Sequence, residues 1–200
     1  MFKVGLTGSI AVGKSFVCDV LRELGCFVLD ADRTAREVVA LNTIGLRKIV
    51  ESFGEEVLQS NGELDRMKLA AIVFTDKAKR QLLNSIVHPS VIEAQNDWLA
   101  AREKENPDAI AVIDAALMIE SGSYKRFTKL IVVRCEPAIQ LERLMLRNNL
   151  SEVEALQRIN SQMPQDEKMR YADFSIDTSE GFEATRLQTI EVFEQLKLLT

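Results

Sequence analysis

A three-layer α/β fold, with about five parallel strands between two layers of helices, is what this 200-residue sequence predicts. Three observations carry that reading. The first 30 residues divide into an apolar run, a glycine-rich loop, a helix-period segment and a second apolar run. Further short apolar runs follow at 109–113, 130–133 and 174–176. Segments with apolar residues at helical spacing separate them, and this alternation is the one that builds a parallel sheet.

In chain order, Phe2 to Thr7 is a short, largely apolar stretch, as expected of a strand buried on both faces, and Gly8 ends it. From Lys14, the residues Val17, Val20, Leu21 and Leu24 recur at helical spacing, and Gly25 stands where a glycine commonly closes a helix. Cys26 to Leu29 returns as a strand, so the segment is a βαβ unit with a right-handed crossover. The interval from Arg33 to Pro107 is too long for one crossover helix. It holds four helix-like stretches, near 44–52, 66–73, 77–87 and 90–104, with Pro89 ending one helix and starting the next. We read 33–107 as a helical insertion that binds a substrate, since ligands of open parallel sheets bind at the carboxyl ends of the strands. The segment 138–170 is dense in charge, carries Ser151 and Glu154 at capping-box spacing, and reads as a lid. The core is then 1–32, 108–137 and 171–200, all within one domain.

Composition excludes several classes. A net charge of −5 lacks the basic excess of a nucleic-acid surface. Cys18, Cys26 and Cys135 form no Cys-x-x-Cys pair, and an odd count argues for reduced thiols rather than a disulfide framework. One histidine makes a His/Cys metal cage untenable. The start Met-Phe-Lys-Val-Gly-Leu-Thr-Gly has no signal-peptide pattern, and no apolar run reaches the roughly 18 residues that span a bilayer. A cytoplasmic protein without membrane partners is expected.

Residues 8–15, Gly-Ser-Ile-Ala-Val-Gly-Lys-Ser, match the P-loop pattern G-x-x-x-x-G-K-[ST] between a predicted strand and a predicted helix, the context the motif requires. Gly8 and Gly13 let the chain curl, and the amides from Ala11 to Phe16 face phosphates at the helix N-terminus. Lys14 brings a positive charge to the β and γ phosphates, and the Ser15 hydroxyl is a Mg²⁺ ligand. The fold class therefore sharpens to a P-loop NTPase type with a helical substrate-binding insertion and a lid. A regulatory GTPase would carry D-x-x-G and N-K-x-D, and neither string occurs. A polymer-driven ATPase would usually be longer. An ATP-dependent small-molecule kinase fits the length, the insertion and the charged segment together.

Asp30 and Asp32 place two carboxylates just past the second strand, where an acceptor hydroxyl would lie, although either could simply cap the next helix. The run Ile110 to Ile113 followed by Asp114 has the form of a Walker B strand. Arg143 and Arg147 lie four apart, share a helix face, and could meet phosphates or merely face solvent.

Taken in order, LTGSIAVGKS, the Asp-Ala-Asp at 30–32, His88-Pro89, IDAALMIESG, RLMLRN, RINSQMP, Glu167-Lys168 and ADFSID resemble the dephospho-CoA kinase family across essentially the whole chain. The resemblance implies transfer of the γ-phosphoryl group of ATP, with Mg²⁺, to the 3′-hydroxyl of the dephospho-CoA ribose, the last step of coenzyme A synthesis. It gives Asp32 the general-base position, Lys14 and Ser15 the phosphate and Mg²⁺ roles, and Arg143 and Arg147 the lid positions, with Arg143 counted among the catalytic groups and Arg147 among those binding ATP. It sets Thr7 and Arg36 near the acceptor, beside Asp32, and His88 in a structural role. The chain departs from the family pattern at Ser9, Ala11, Val12 and Phe16, where Gly, Gly, Ser and Thr are usual, at Ala116, usually Pro, and at Thr178, usually Asn near the adenine-binding stretch.

Overall fold

The structure, a computed structural model, describes residues 1–200. It divides into two compact units, Met1–Asp30 with Arg102–Thr200, and Ala31–Ala101.

The first unit is a parallel sheet of β1 (Phe2–Thr7), β2 (Phe27–Asp30), β3 (Ile110–Asp114), β4 (Lys129–Arg134) and β5 (Phe174–Asp177) in the order β2-β3-β1-β4-β5. All five predicted strands are present, their limits moved by a residue or so. β1 lies at the centre, and its last four residues are fully buried, which is why its sequence is largely apolar. The register sets Asp114 opposite Leu6 on one side and Asp30 on the other, so both acids stand at the same edge of the sheet.

Helix α1 (Lys14–Glu23) buries Val17, Cys18, Val20 and Leu21. Gly25, at φ 93°, closes it: the Gly25 amide bonds the Arg22 carbonyl and the Cys26 amide bonds that of Leu21, the pair of bonds that defines a Schellman cap. Leu6, Val17, Leu21, Val112, Ile131, Val133 and Ile176 share one core with Val192 and Leu196 of α9 (Gly181–Lys197), each large aliphatic contributing about 1.5–3 kcal/mol by burial. An Arg186–Glu23 ion pair of 2.6 Å joins α9 to α1 at the surface.

The predicted lid contains α6 (Pro137–Asn148), α7 (Glu152–Asn160) and the short α8 (Gln165–Met169). The capping box at α7 is formed as its spacing indicated, with the Glu154 amide donating to Ser151 Oγ at 3.4 Å and the Ser151 amide to Glu154 Oε2 at 2.9 Å. Bonds from the Ser151 hydroxyl and amide hold the exposed Glu154 carboxyl below its usual range.

The second unit comprises α2 (Ala31–Glu37), α3 (Ile44–Phe53), α4 (Arg66–Thr75) and most of α5 (Lys77–Glu105). Its own core gathers Val39, Leu46, Ile49, Phe53, Val57, Leu64 and Leu69. Thr43 caps α3 through the Leu46 amide, and Asp65 caps α4 through those of Met67 and Lys68. One expectation fails here: the predicted helices 77–87 and 90–104 are a single helix with Pro89 inside it. A proline removes one helix bond at a cost of about 3 kcal/mol, but packing offsets that cost. Leu83, Ile86 and Val87 lie against the core on one side of Pro89, and Gln95 and Leu99 are buried on the other. His88 is exposed on the same helix.

All three cysteines are buried and free. Burial raises the Cys26 thiol to about 12; burial and then the Asp114 carboxylate raise Cys18, and burial raises Cys135. Thiolate is the reactive form, so the native protein at pH 8 should leave dithionitrobenzoate almost unreacted over minutes, and all three thiols should react in denaturant. Rapid release of one equivalent from native protein would contradict this placement.

Candidate active site

The loop after β1 is shaped by contacts that leave few alternatives. A side chain at Gly8 would strike the Val133 carbonyl oxygen on β4. Gly13 has φ 87° and precedes α1, with Thr178 beside it. Between them Ala11 adopts φ 62°, a left-handed conformation that costs an L-residue about 1–2 kcal/mol. Val12 is fully buried in the core, so the branched side chain that departs from the family pattern anchors the loop instead of crowding it. Its carbonyl accepts a 2.9 Å bond from the Thr178 hydroxyl.

Lys14 opens α1, and its Nζ lies 3.9 Å from Asp114 Oδ1, the side chains being 15% and 17% exposed. The carboxylate at the end of β3 thus stands at the loop's lysine, and Ser15 follows, exposed, in the first turn of the helix. Ser15 and Asp114 offer oxygen donors, the hard ligands suited to Mg²⁺, which needs only one or two from protein when phosphates supply the rest. No cluster of three or more His, Cys, Asp or Glu side chains able to hold a metal occurs.

A pocket of about 310 Å³ adjoins the loop, lined by Gly13, Phe16, Arg143, Thr178 and Phe182 among others. The Phe16 and Phe182 rings, 4.8 Å apart between centroids, form one wall. Arg143 donates through Nη1 to Thr178 Oγ1 at 2.8 Å and through Nη2 to the Thr178 carbonyl at 2.9 Å, which fixes its guanidinium beside the pocket. Arg147, one turn on, is exposed and bonds Asn148. The turn after β5 is held by Asp177. Burial raises its carboxyl, but bonds from the Ser179 hydroxyl and amide, with Arg134 nearby, outweigh that and keep it below the usual range.

Two further anchors lie beneath the strand ends. Thr7 is fully buried, with its hydroxyl turned to the carbonyls of Ala115 and Ala116 at 2.8 and 3.2 Å, so in this structure it joins the ends of β1 and β3. Lys168, also fully buried, donates to the Ala116 carbonyl at 2.7 Å and pairs with Glu120 at 2.8 Å. Burial lowers the Lys168 amine, a shift that the Glu120 contact opposes. In the second unit, Asp32 and Arg36 lie one turn apart on α2, both exposed.

Some residues that support the loop carry no signal of their own in the sequence. Gln140, whose Nε2 donates to the Ile10 carbonyl, belongs to no motif; Gln162, whose Oε1 accepts from the Ile10 amide, and Lys168 fall only inside stretches that mark the resemblance; Thr178 is only a departure from the pattern. The last is the most instructive. A position next to the expected base site with an unusual residue was a signal, and Thr178 bonds both the loop and Arg143.

A curled run of amides at a helix start, with a lysine set against a strand-end carboxylate, is an arrangement for gripping nucleotide phosphates. On this sheet it defines the class of P-loop kinases. Comparison with known proteins narrows the class. The family model for dephospho-CoA kinase (CoaE) matches residues 2–183. A dephospho-CoA kinase of Listeria monocytogenes serotype 4b is 46% identical over 189 residues, covering 94% of this chain and 93% of that protein. Among solved structures, TT1252 from Thermus thermophilus aligns with TM-score 0.86 at 28% identity, covering 100% of this chain and 98% of that one. Dephospho-CoA kinase from Campylobacter jejuni aligns with TM-score 0.72 at 29% identity, covering 98% and 96%. The chain belongs to the dephospho-CoA kinase family.

Proposed function

We propose that this chain transfers the γ-phosphoryl group of ATP to the 3′-hydroxyl of the ribose of dephospho-CoA. The observation that carries the reading is the approach of Lys14 to Asp114 at the mouth of the loop, in a chain of this family. The loop amides and Lys14 hold the donor phosphates. Phosphoryl transfer has a loose transition state, so holding and charge neutralisation supply most of the rate. Ser15 and Asp114 are the residues that would hold Mg²⁺, which when bound neutralises charge on the phosphate oxygens. The pocket by Phe16, Arg143 and Phe182 takes the base, and Arg147 meets the nucleotide phosphates from the lid at 138–170. Asp32 orients the acceptor hydroxyl and takes its proton late, with Arg36 assigned to the acceptor side and the helical segment 33–107 to its remote part, while the fully buried Thr7, expected near the acceptor, supports the strand ends instead. A cytoplasmic setting without nucleic-acid partners belongs to the same reading, supported by the net charge of −5. No helix is long and apolar enough to cross a membrane.

Purified protein incubated with ATP, Mg²⁺ and a panel of dephospho-CoA, nucleoside monophosphates and shikimate should phosphorylate dephospho-CoA by far the fastest. The other acceptors lack the pantetheine arm, whose remote binding energy helps orient the ribose. Phosphorus NMR should show the 3′ ester, and 3′-deoxy-dephospho-CoA should bind without reacting, because the attacking oxygen must lie in line with the γ phosphorus. A 2′ ester, or equal turnover of a nucleoside monophosphate, would overturn the acceptor assignment.

A further inference from the structure

Ala11 holds a left-handed conformation at φ 62° without the freedom of glycine, so its neighbours must impose it. The Ile10 residue just before it is gripped on both sides. Its amide donates to Gln162 Oε1 at 2.7 Å, and its carbonyl accepts from Gln140 Nε2 at 2.7 Å. That carbonyl belongs to the peptide plane before Ala11, and in the plane after it the Val12 amide reaches the Ser9 carbonyl at 3.5 Å, so both planes that define the Ala11 conformation are held.

The orientation of these amides is determined by main-chain groups that cannot be flipped. The Cys135 amide at the end of β4 donates to Gln165 Oε1 at 3.0 Å, which turns the Gln165 NH₂ toward Gln140 Oε1, 2.8 Å away. Gln140, only 2% exposed, is left with its NH₂ facing the Ile10 carbonyl. Gln162 must present its oxygen, because an amide N–H can only donate. One turn along α6, Arg143 bonds Thr178, which holds the Val12 carbonyl. The peptide before Ala11 and the peptide after Val12 are therefore tied to the same helix.

We propose that Gln140 and Gln162 are positioning residues that hold the phosphate loop in its nucleotide-accepting shape by imposing the left-handed conformation of Ala11. The proposal rests on the loop being the ATP site. It makes these glutamines determinants of nucleotide affinity, separate from acceptor affinity.

Gln140→Met and Gln162→Met keep length and bulk while removing the hydrogen bonds. Each should weaken binding of a fluorescent N-methylanthraniloyl ATP about tenfold, with the KM for dephospho-CoA changed by less than about twofold. Adding Ala11→Gly, which makes the left-handed conformation accessible without the clamp, should return nucleotide affinity to within about twofold of the unsubstituted protein. A scaffold role alone would move both substrates together and gain nothing specific from the glycine. Gln140→Glu supplies a second arm if a methionine variant does not fold: it keeps the bond from Gln165, loses the one to Ile10, and should also weaken nucleotide binding. Unchanged nucleotide affinity in these variants, or a loss that Ala11→Gly does not relieve, overturns the proposal. The readout uses nucleotide alone, so an error in the acceptor assignment would show in the product assay and not here.

Discussion

Lys14→Ala is expected to lower kcat by about 10³ while leaving the far-UV circular dichroism unchanged. Removing one well-placed charge donor from a reacting oxyanion costs about that much, because the group acts on charge that must be stabilised without rearrangement. The fold should tolerate the change. Lys14 lies in the mouth of the loop and its 3.9 Å approach to Asp114 is too long for a hydrogen bond, so no bonded pair is lost with it. Burial of α1 rests on Val17, Cys18, Val20 and Leu21, none of which the substitution touches. Near-normal turnover would remove the phosphate loop from the mechanism altogether.

The second large effect is expected at Asp32. Asp32→Asn preserves shape and removes the proposed proton acceptor, so kcat should fall by about 10² with ATP affinity nearly unchanged. Asp30→Asn should cost less. The two acids have different placements: Asp30 is the last residue of β2, in register with Asp114, and Asp32 lies in the first turn of α2. Single-turnover rates with saturating ATP separate them. A larger loss at Asp30 would move the base to the strand end.

The parts legible from the sequence are those governed by local chemistry. Five short, largely apolar runs became the five strands, the glycine loop fell between β1 and α1, and Ser151 with Glu154 formed the predicted box. Each depends on residues within a few positions of one another. Pro89 shows the limit, since the local rule for proline was sound and was overridden by the packing of Leu83, Ile86, Val87 and Leu99. The site divides the same way. Lys14, Ser15 and Asp114 were found through motif and strand pattern, whereas the supports of the loop were not. Thr178 reaches Val12 across 166 positions and Gln162 reaches Ile10 across 152, and bonds of that span leave no periodic mark in a sequence. Spacing leaves Arg143 between a phosphate contact and a solvated face, the resemblance gives it a lid position, and neither foretells that two of its donors bond Thr178.

The central place of β1 in the sheet has a consequence for biosynthesis. Its partners are β3, from Ile110, and β4, from Lys129, so an apolar strand made among the first residues must wait for more than half the chain before it can pair. Such distant pairing is slow, and an unpaired apolar strand is exposed to aggregation meanwhile. The phosphate loop waits longer still, because Gln162 and Thr178, which bond it, lie 152 and 166 positions beyond the residues they hold. Nascent chains stalled before Thr178 should therefore lack a competent loop, which makes ATP binding a property that emerges only once the chain has been extended past that residue.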